Sequence, residues 1–247
     1  IVERQAGWGS GFPDFLYEEV GAKLRDSAYE IVQKADLIVK IKEPVQAEYY
    51  WLDLFKGKIL FTYLHLSGVD PKLTDKLLEN EITAIAYETV AKNGGLPLLA
   101  PMSQVAGVLA CQYGAHYLQK KHGGAGVSLG HIDGAEPAST LIVGAGFVGR
   151  TAAMTAGGMG GKVVLLDINE KVVTKAKKEI TSHLGPKLSR NVTVQVSNQK
   201  ILEDWLKKAD LLIGAVLIPG AKAPQVVSEA MIHSMKRGAV IVDVAID

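Results

Sequence analysis

The feature that most constrains this chain is the stretch Leu141–Arg150, LIVGAGFVGR, in which an apolar strand runs straight into a helix start. Gly144, Gly146 and Gly149 carry the G-x-G-x-x-G spacing, and a second apolar strand, KVVLLD, closes on Asp167. Asp167 falls close to the ~20-residue distance from the first glycine that a dinucleotide-binding βαβ unit expects. The physical roles follow from the positions. Gly144 permits a tight turn, Gly146 lets backbone approach a pyrophosphate, and Gly149 lets helix and strand pack closely. The helix N-terminus offers free N–H groups and the positive end of its dipole to phosphates. Asp167 can accept hydrogen bonds from both hydroxyls of an adenosine ribose. The competing reading is an α/β turn that is merely rich in glycine.

Around this unit, strand and helix signals alternate regularly. Strands are expected at residues 140–143, 162–166, 192–196, 211–213 and 239–242, with helices at 147–158, 169–182, 199–207 and 224–235. This order predicts an α/β fold with a doubly wound parallel sheet and right-handed crossovers, its ligand at the carboxyl ends of the strands. The N-terminal part alternates less regularly. Strands are expected at residues 37–40, 58–61 and 83–86, and helices at 13–20, 27–34, 71–79 and 102–121. The small-residue, unperiodic stretch between Lys121 and Ser139 predicts the domain boundary, giving a substrate domain over 1–125 and a dinucleotide domain over 126–247.

Bulk properties exclude several classes. Of 247 residues, 27 are Lys or Arg and 26 Asp or Glu, a formal net charge of +1 that gives no electrostatic reason to expect nucleic acid or an anionic membrane. The apolar run near residues 211–221 is broken by Gly214, Pro219 and Gly220 and is too short to span a bilayer. Cys111 is the only cysteine, so no intrachain disulfide can form, and a reducing, cytoplasmic setting is expected. A mean hydropathy of +0.15 fits strands buried on both faces, and also a large subunit interface. No His/Cys/Asp cluster has metal-ligand spacing, so no catalytic metal is expected. Both ends read as cut within structure, so the chain is expected to be a piece of a longer one.

Two further positions stand out on chemistry. His65 follows an apolar strand, which puts an imidazole at a strand's carboxyl end; a structural histidine capping a loop is the alternative. Lys42, in VKIKEP, could hold a carboxylate or polarise a carbonyl, with Lys40 as its structural counterpart two positions earlier. Glu88 reads first as an ion-pair residue, with supporting carboxylate or metal contact as the other options. The histidines at 116, 122, 131, 183 and 233 match no motif.

Several segments together carry a resemblance: AGWGSGFPD at 6–14, VKIKEP at 39–44, LFTYLHL at 60–66, AYETV at 86–90, LPLLAPMSQVAG at 96–107, the LIVGAGFVG turn, LLDIN at 165–169, IGAVLIPGAKAP at 213–224 and VDVAID at 242–247. In this order they resemble the alanine dehydrogenase branch of the alanine dehydrogenase and nicotinamide nucleotide transhydrogenase family. The resemblance implies two Rossmann-like domains and an NAD-dependent oxidative deamination of L-alanine to pyruvate and ammonium, reversible, in a homohexamer. It implies His65 as the proton donor and acceptor and Lys42 as substrate-binding. Asp247 would be an acid/base or water-positioning group, its alternative being a helix N-cap. Beyond Gly144, Gly146, Gly149 and Asp167, it implies that Ser103, Phe147, Val148, Ser197, Val216 and Leu217 line the cofactor; for the apolar ones, core packing is the alternative. The family's substrate-binding arginine precedes the start of this chain, and its nucleotide domain continues past Asp247. Transhydrogenase subunits carry Arg, Gln and Asp in a loop where this chain reads residues 96–103, LPLLAPMS. The segment Tyr49–Lys56 is about two residues longer than the family pattern and is expected to alter a surface loop. A transhydrogenase-like NAD subunit and a non-catalytic NAD-binding module are the other readings.

Overall fold

The computed structural model describes residues 1–93, 95–218 and 224–245. The chain divides into two compact units, Ile1–Leu96 and Pro97–Asp247. The division lies well before the expected 125/126 boundary because the long helix 99–117 packs within the second unit. At Gly107 that helix comes so close to its neighbour that an added Cβ would sit 2.6 Å from the Val148 carbonyl oxygen.

In the first unit, β1 (Val2–Glu3) and β2 (Leu24–Arg25) form a small parallel pair, with α1 (Asp14–Glu19) between them. After α2 (Ala28–Lys34), a three-stranded parallel sheet follows, with strand order β3 (Leu37–Val39), β4 (Ile59–Thr62), β5 (Thr83–Ala86). The connections are α3 (Tyr49–Leu52) and α4 (Lys72–Glu79). Parallel pairing places the carboxyl ends of all three strands on one edge. The segment expected to be a longer surface loop is instead part of the core. Trp51, Leu52 and Phe55 are among the most buried residues of the unit and pack with Leu60, Leu73 and Leu77.

The second unit holds a five-stranded parallel sheet in the order β10 (Val240–Asp243), β9 (Leu211–Gly214), β6 (Ser139–Val143), β7 (Lys162–Asp167), β8 (Val192–Val196). Its helices are α5 (Leu99–Tyr117), α6 (Phe147–Gly158), α7 (Glu170–Leu188), α8 (Gln199–Leu206) and α9 (Glu229–His233). Side chains of successive strand residues point to opposite faces, and here both faces are covered. Ile142, Leu165 and Ile213 pack with Ala152, Ala153 and Ala156 of α6, while Leu141, Val143, Leu166 and Leu212 pack with Leu202 and Leu206 of α8. That double burial is why these strands read as unbroken apolar runs. Starts and stops have local causes: Asn169 caps α7 by accepting from Lys171 and Val172 N–H, and Asn198 caps α8. Gly185, at φ +70°, and Pro186 kink the end of α7. The helix expected over 224–235 is only Glu229–His233, capped by Ser228. β6 has β7 on one side and β9 on the other, so the sheet's direction of winding reverses beside its carboxyl end, where ligands of such sheets bind.

Candidate functional site

The glycine turn of the second unit is built by steric necessity. Gly144 sits at φ +103°, and a Cβ there would lie 2.5 Å from the carbonyl oxygen of Ala215. A Cβ on Gly149 would run into the Gly144 carbonyl oxygen, so α6 can approach β6 only without a side chain. Gly146 differs: an added Cβ would meet nothing within 4 Å. The chain thus leaves open space beside the N-cap of α6, which has no side-chain cap of its own. An uncapped helix N-terminus facing open space suits a phosphate. Phe147 and Val148 begin α6 directly behind it.

Asp167 ends β7 with both oxygens engaged by backbone: Oδ2 accepts from Ala145 N–H at 2.8 Å and Oδ1 from Asn169 N–H at 2.8 Å. Each carboxylate oxygen keeps a further lone pair for a hydroxyl donor. Ser197 follows β8, and its N–H donates to the Asp167 carbonyl, so both residues stand at adjacent strand ends. Ser103 is buried in the second turn of α5, one turn before Gly107 meets Val148. A cavity of about 300 Å³ opens at the ends of β6, β9 and β10. Val143, Val216, Val226 and Ile241 make most of it apolar, and Asp243 adds a carboxylate. Val216 lines this cavity, whereas Leu217 beside it is half exposed. Open space at Gly146, a carboxylate at the end of β7 and an adjoining apolar cavity together fit a nicotinamide dinucleotide. Cys111 takes no part: its thiol donates to the Ala152 carbonyl, and burial pushes its pKa up to about 12.

The first unit assembles a different kind of site at the carboxyl edge of its sheet. Beyond β3, Lys40 N–H donates to the Phe61 carbonyl, and the buried Thr62 hydroxyl donates to the Lys42 carbonyl at 2.9 Å. The Lys40 ammonium is taken by Glu48 at 3.2 Å, which gives it a structural role. The Lys42 ammonium, half exposed, lies 3.1 Å from Glu43 Oε2. Burial alone would raise the Glu43 carboxyl. Its own backbone N–H, the Lys42 ammonium and His65 outweigh that effect and leave it below the ordinary carboxylate range. Lys42 and Glu43 thus form an ion pair beyond β3, and His65 follows the neighbouring strand β4 at the same edge of the sheet.

His65 stands at φ +50°, the left-handed region that non-glycine residues seldom occupy. Such backbone costs ~1–3 kcal/mol and persists only where its surroundings impose it. Here Glu88 imposes it: the carboxylate accepts from His65 N–H at 2.7 Å and from Leu64 N–H at 3.1 Å. The turn closes as Gly68 N–H donates to the His65 carbonyl, and a Cβ on Gly68 would strike the imidazole at 2.8 Å. Glu88, expected first as an ion-pair residue, is thus a clamp on backbone amides. Nothing in its sequence context reveals that, because its partners are N–H groups of another strand's end. Glu43 was likewise legible only as a neighbour of Lys42. Asp247 lies outside the described residues. Among the described residues, no group of three or more His, Cys, Asp or Glu side chains could hold a metal ion. No helix of the described residues is long and apolar enough to cross a membrane.

Two parallel α/β units, one with a glycine turn and acid-terminated strand suited to a dinucleotide, define a protein of the Rossmann-type, nicotinamide dinucleotide-binding class. More particularly, the chain belongs to the alanine dehydrogenase/PNT family: residues 1–106 match the family's N-terminal domain and residues 110–247 its C-terminal domain. It is 49% identical to an alanine dehydrogenase of Methanococcus maripaludis, over 100% of this chain and 63% of that protein. A solved L-alanine dehydrogenase superposes with a TM-score of 0.81 at 43% identity, covering 98% of this chain and 64% of the other. A transhydrogenase from Sinorhizobium meliloti has the same fold, with a TM-score of 0.75 at 24% identity, over 99% of this chain and 68% of its own. The chain thus spans less than two thirds of the length of the alanine dehydrogenases it matches.

Proposed function

We propose that this chain is part of an NAD-dependent alanine dehydrogenase that converts L-alanine, water and NAD⁺ to pyruvate, ammonium, NADH and a proton, and reverses the reaction. The observation that carries the reading is the grouping of Lys42, Glu43 and His65 on one sheet edge, since a chain that only bound a dinucleotide would need none of them. The identity to alanine dehydrogenases along the whole chain speaks for the same reaction.

The second unit is the dinucleotide unit in this reading. Gly144, Gly146, Gly149, Phe147 and Val148 form the pyrophosphate turn, with Asp167 on the ribose hydroxyls and Ser197 near the adenine. Ser103, Val216 and Leu217 lie toward the nicotinamide. NAD is favoured over NADP because Asp167 repels a 2′-phosphate, and the residues that follow it, Ile168 and Asn169, carry no positive charge. When bound, the dinucleotide accepts or returns the hydride.

The first unit handles the substrate. Lys42 holds its carboxylate or polarises its carbonyl, and the ion pair with Glu43 directs that ammonium. His65 takes a proton from water as it adds to the imine carbon and returns it in the reverse direction. Asp247 shares this acid–base or water-positioning work. The whole protein works in the cytoplasm as a homo-oligomer, hexameric as the family resemblance implies. The test is a spectrophotometric assay of the full-length protein with NADH, pyruvate and ammonium, with light scattering for the assembly. NADH consumption that requires both pyruvate and ammonium is the expected result; no consumption would refute the reading.

A further inference from the structure

The glycine turn is gripped at a single residue, Ala145, through the two peptides that flank it. The N–H of Ala145 donates to Asp167 Oδ2, and its carbonyl accepts from Arg150 Nη1 at 2.7 Å. Arg150 lies in the first turn of α6 and is almost completely buried. Its Nε meets Glu179 Oε2 of α7 at 2.7 Å, and its guanidinium packs over the Phe147 ring at 5.0 Å. Each of these contacts fixes something different. The bond to the Ala145 carbonyl sets the orientation of the peptide that joins Ala145 to Gly146. The Phe147 contact holds the first residue of the helix. The Glu179 pair compensates a charge that would be costly to bury alone.

We propose that Arg150 and Glu179 are positioning residues for dinucleotide binding. Neither touches the dinucleotide. Arg150 locks the Ala145–Gly146 peptide, the one next to that held by Asp167, so that the open N-terminus of α6 and the Asp167 carboxylate are aligned before binding, and Glu179 holds Arg150 in place. Only a guanidinium supplies two donors in a rigid fork to a carbonyl and a carboxylate at once; a lysine ammonium is a point charge on a flexible stem. The gain is preorganisation, since ordering the turn in advance removes that cost from binding. This rests on the dinucleotide reading of the second unit.

The test is NADH fluorescence titration of the full-length protein and its variants, with melting temperatures measured alongside. A hydrogen bond from a charged donor contributes ~1.5–3 kcal/mol, which corresponds to a Kd raised about tenfold or more in Arg150→Met. Arg150→Lys recovers part of that loss. Glu179→Gln, which removes the charge but keeps an oxygen able to accept from Arg150 Nε, raises Kd in the same direction by a smaller factor. The KM for the carbonyl substrate at saturating NADH stays within about twofold, because the turn contributes nothing to that site. Arg150→Met and Glu179→Gln variants that melt earlier yet bind NADH within twofold of wild type would overturn the proposal and leave the dinucleotide reading standing. A wild-type protein that bound no NADH would overturn both.

Discussion

The two units carry their chemistry in different ways. In the second, function is written into backbone geometry: Gly144 at φ +103°, space beside Gly146, and an acid at the end of β7. In the first, it is written into side chains gathered from three strand ends, with Glu88 imposing a strained backbone on His65. A backbone site tolerates no side chain where the ligand approaches. A side-chain site instead tolerates no loss of the group that reacts. Substitutions in the two units are therefore expected to act on different observables, and each prediction here tests that separation.

The largest effect belongs to His65→Ala. General acid–base groups contribute ~10²–10⁴-fold to turnover, so kcat falls by that order while the NADH Kd stays near wild type. A merely structural histidine would lower the melting temperature and leave kcat within a few-fold. Gly146→Val comes next. Its side chain enters open space, so the unit should fold, but it occupies the approach to the helix N-terminus. Losing two or so hydrogen bonds to a charged phosphate weakens NADH binding about 10²-fold. Normal NADH affinity in that variant would erase the contrast between the units. Lys42→Ala should raise the pyruvate KM about tenfold and lower kcat as well, because the contact serves ground and transition states alike. An unchanged KM would remove Lys42 from the substrate site.

The smallest effect is one of pH. The folded-state pKa of Glu43 is depressed, so its ion pairing adds stability above the ordinary carboxylate range, and this is lost as pH falls through the depressed value. Glu43→Gln should therefore melt earlier than wild type near neutrality, and the two curves should converge on acidification. A gap that widens toward low pH would contradict the assignment of Lys42 and His65 as its partners.

How much was legible beforehand follows from the same contrast. The motif around Gly144 could be read because backbone constraints leave glycine no substitute and space the residues in sequence. The strands of the second unit could be read because burial on both faces removes polar residues from 141–143 and 163–166. The first unit was less legible. His65 and Lys42 drew attention through their strand-end positions and the family resemblance, but Glu88 acts on backbone amides of a different strand, a pairing no local pattern encodes. Residues 49–56 read as a surface loop because a four-residue helix has no period to detect, although its Trp51 and Leu52 anchor a core. The expected domain boundary rests on a glycine-rich stretch that reads as a linker, whereas the compact units divide between Leu96 and Pro97. It was the close approach at Gly107 that assigned α5 to the second unit.

In the proposed function one unit holds the dinucleotide while the other does acid–base chemistry on a small amino or oxo acid. The most direct test is NADH oxidation by the full-length protein, followed at fixed NADH with pyruvate alone, ammonium alone, and both together. Oxidation is expected only with both, since reductive amination needs the carbonyl and the amine. Oxidation with pyruvate alone, at the same rate as with ammonium present, would make the protein a 2-oxo acid reductase and contradict the proposed function.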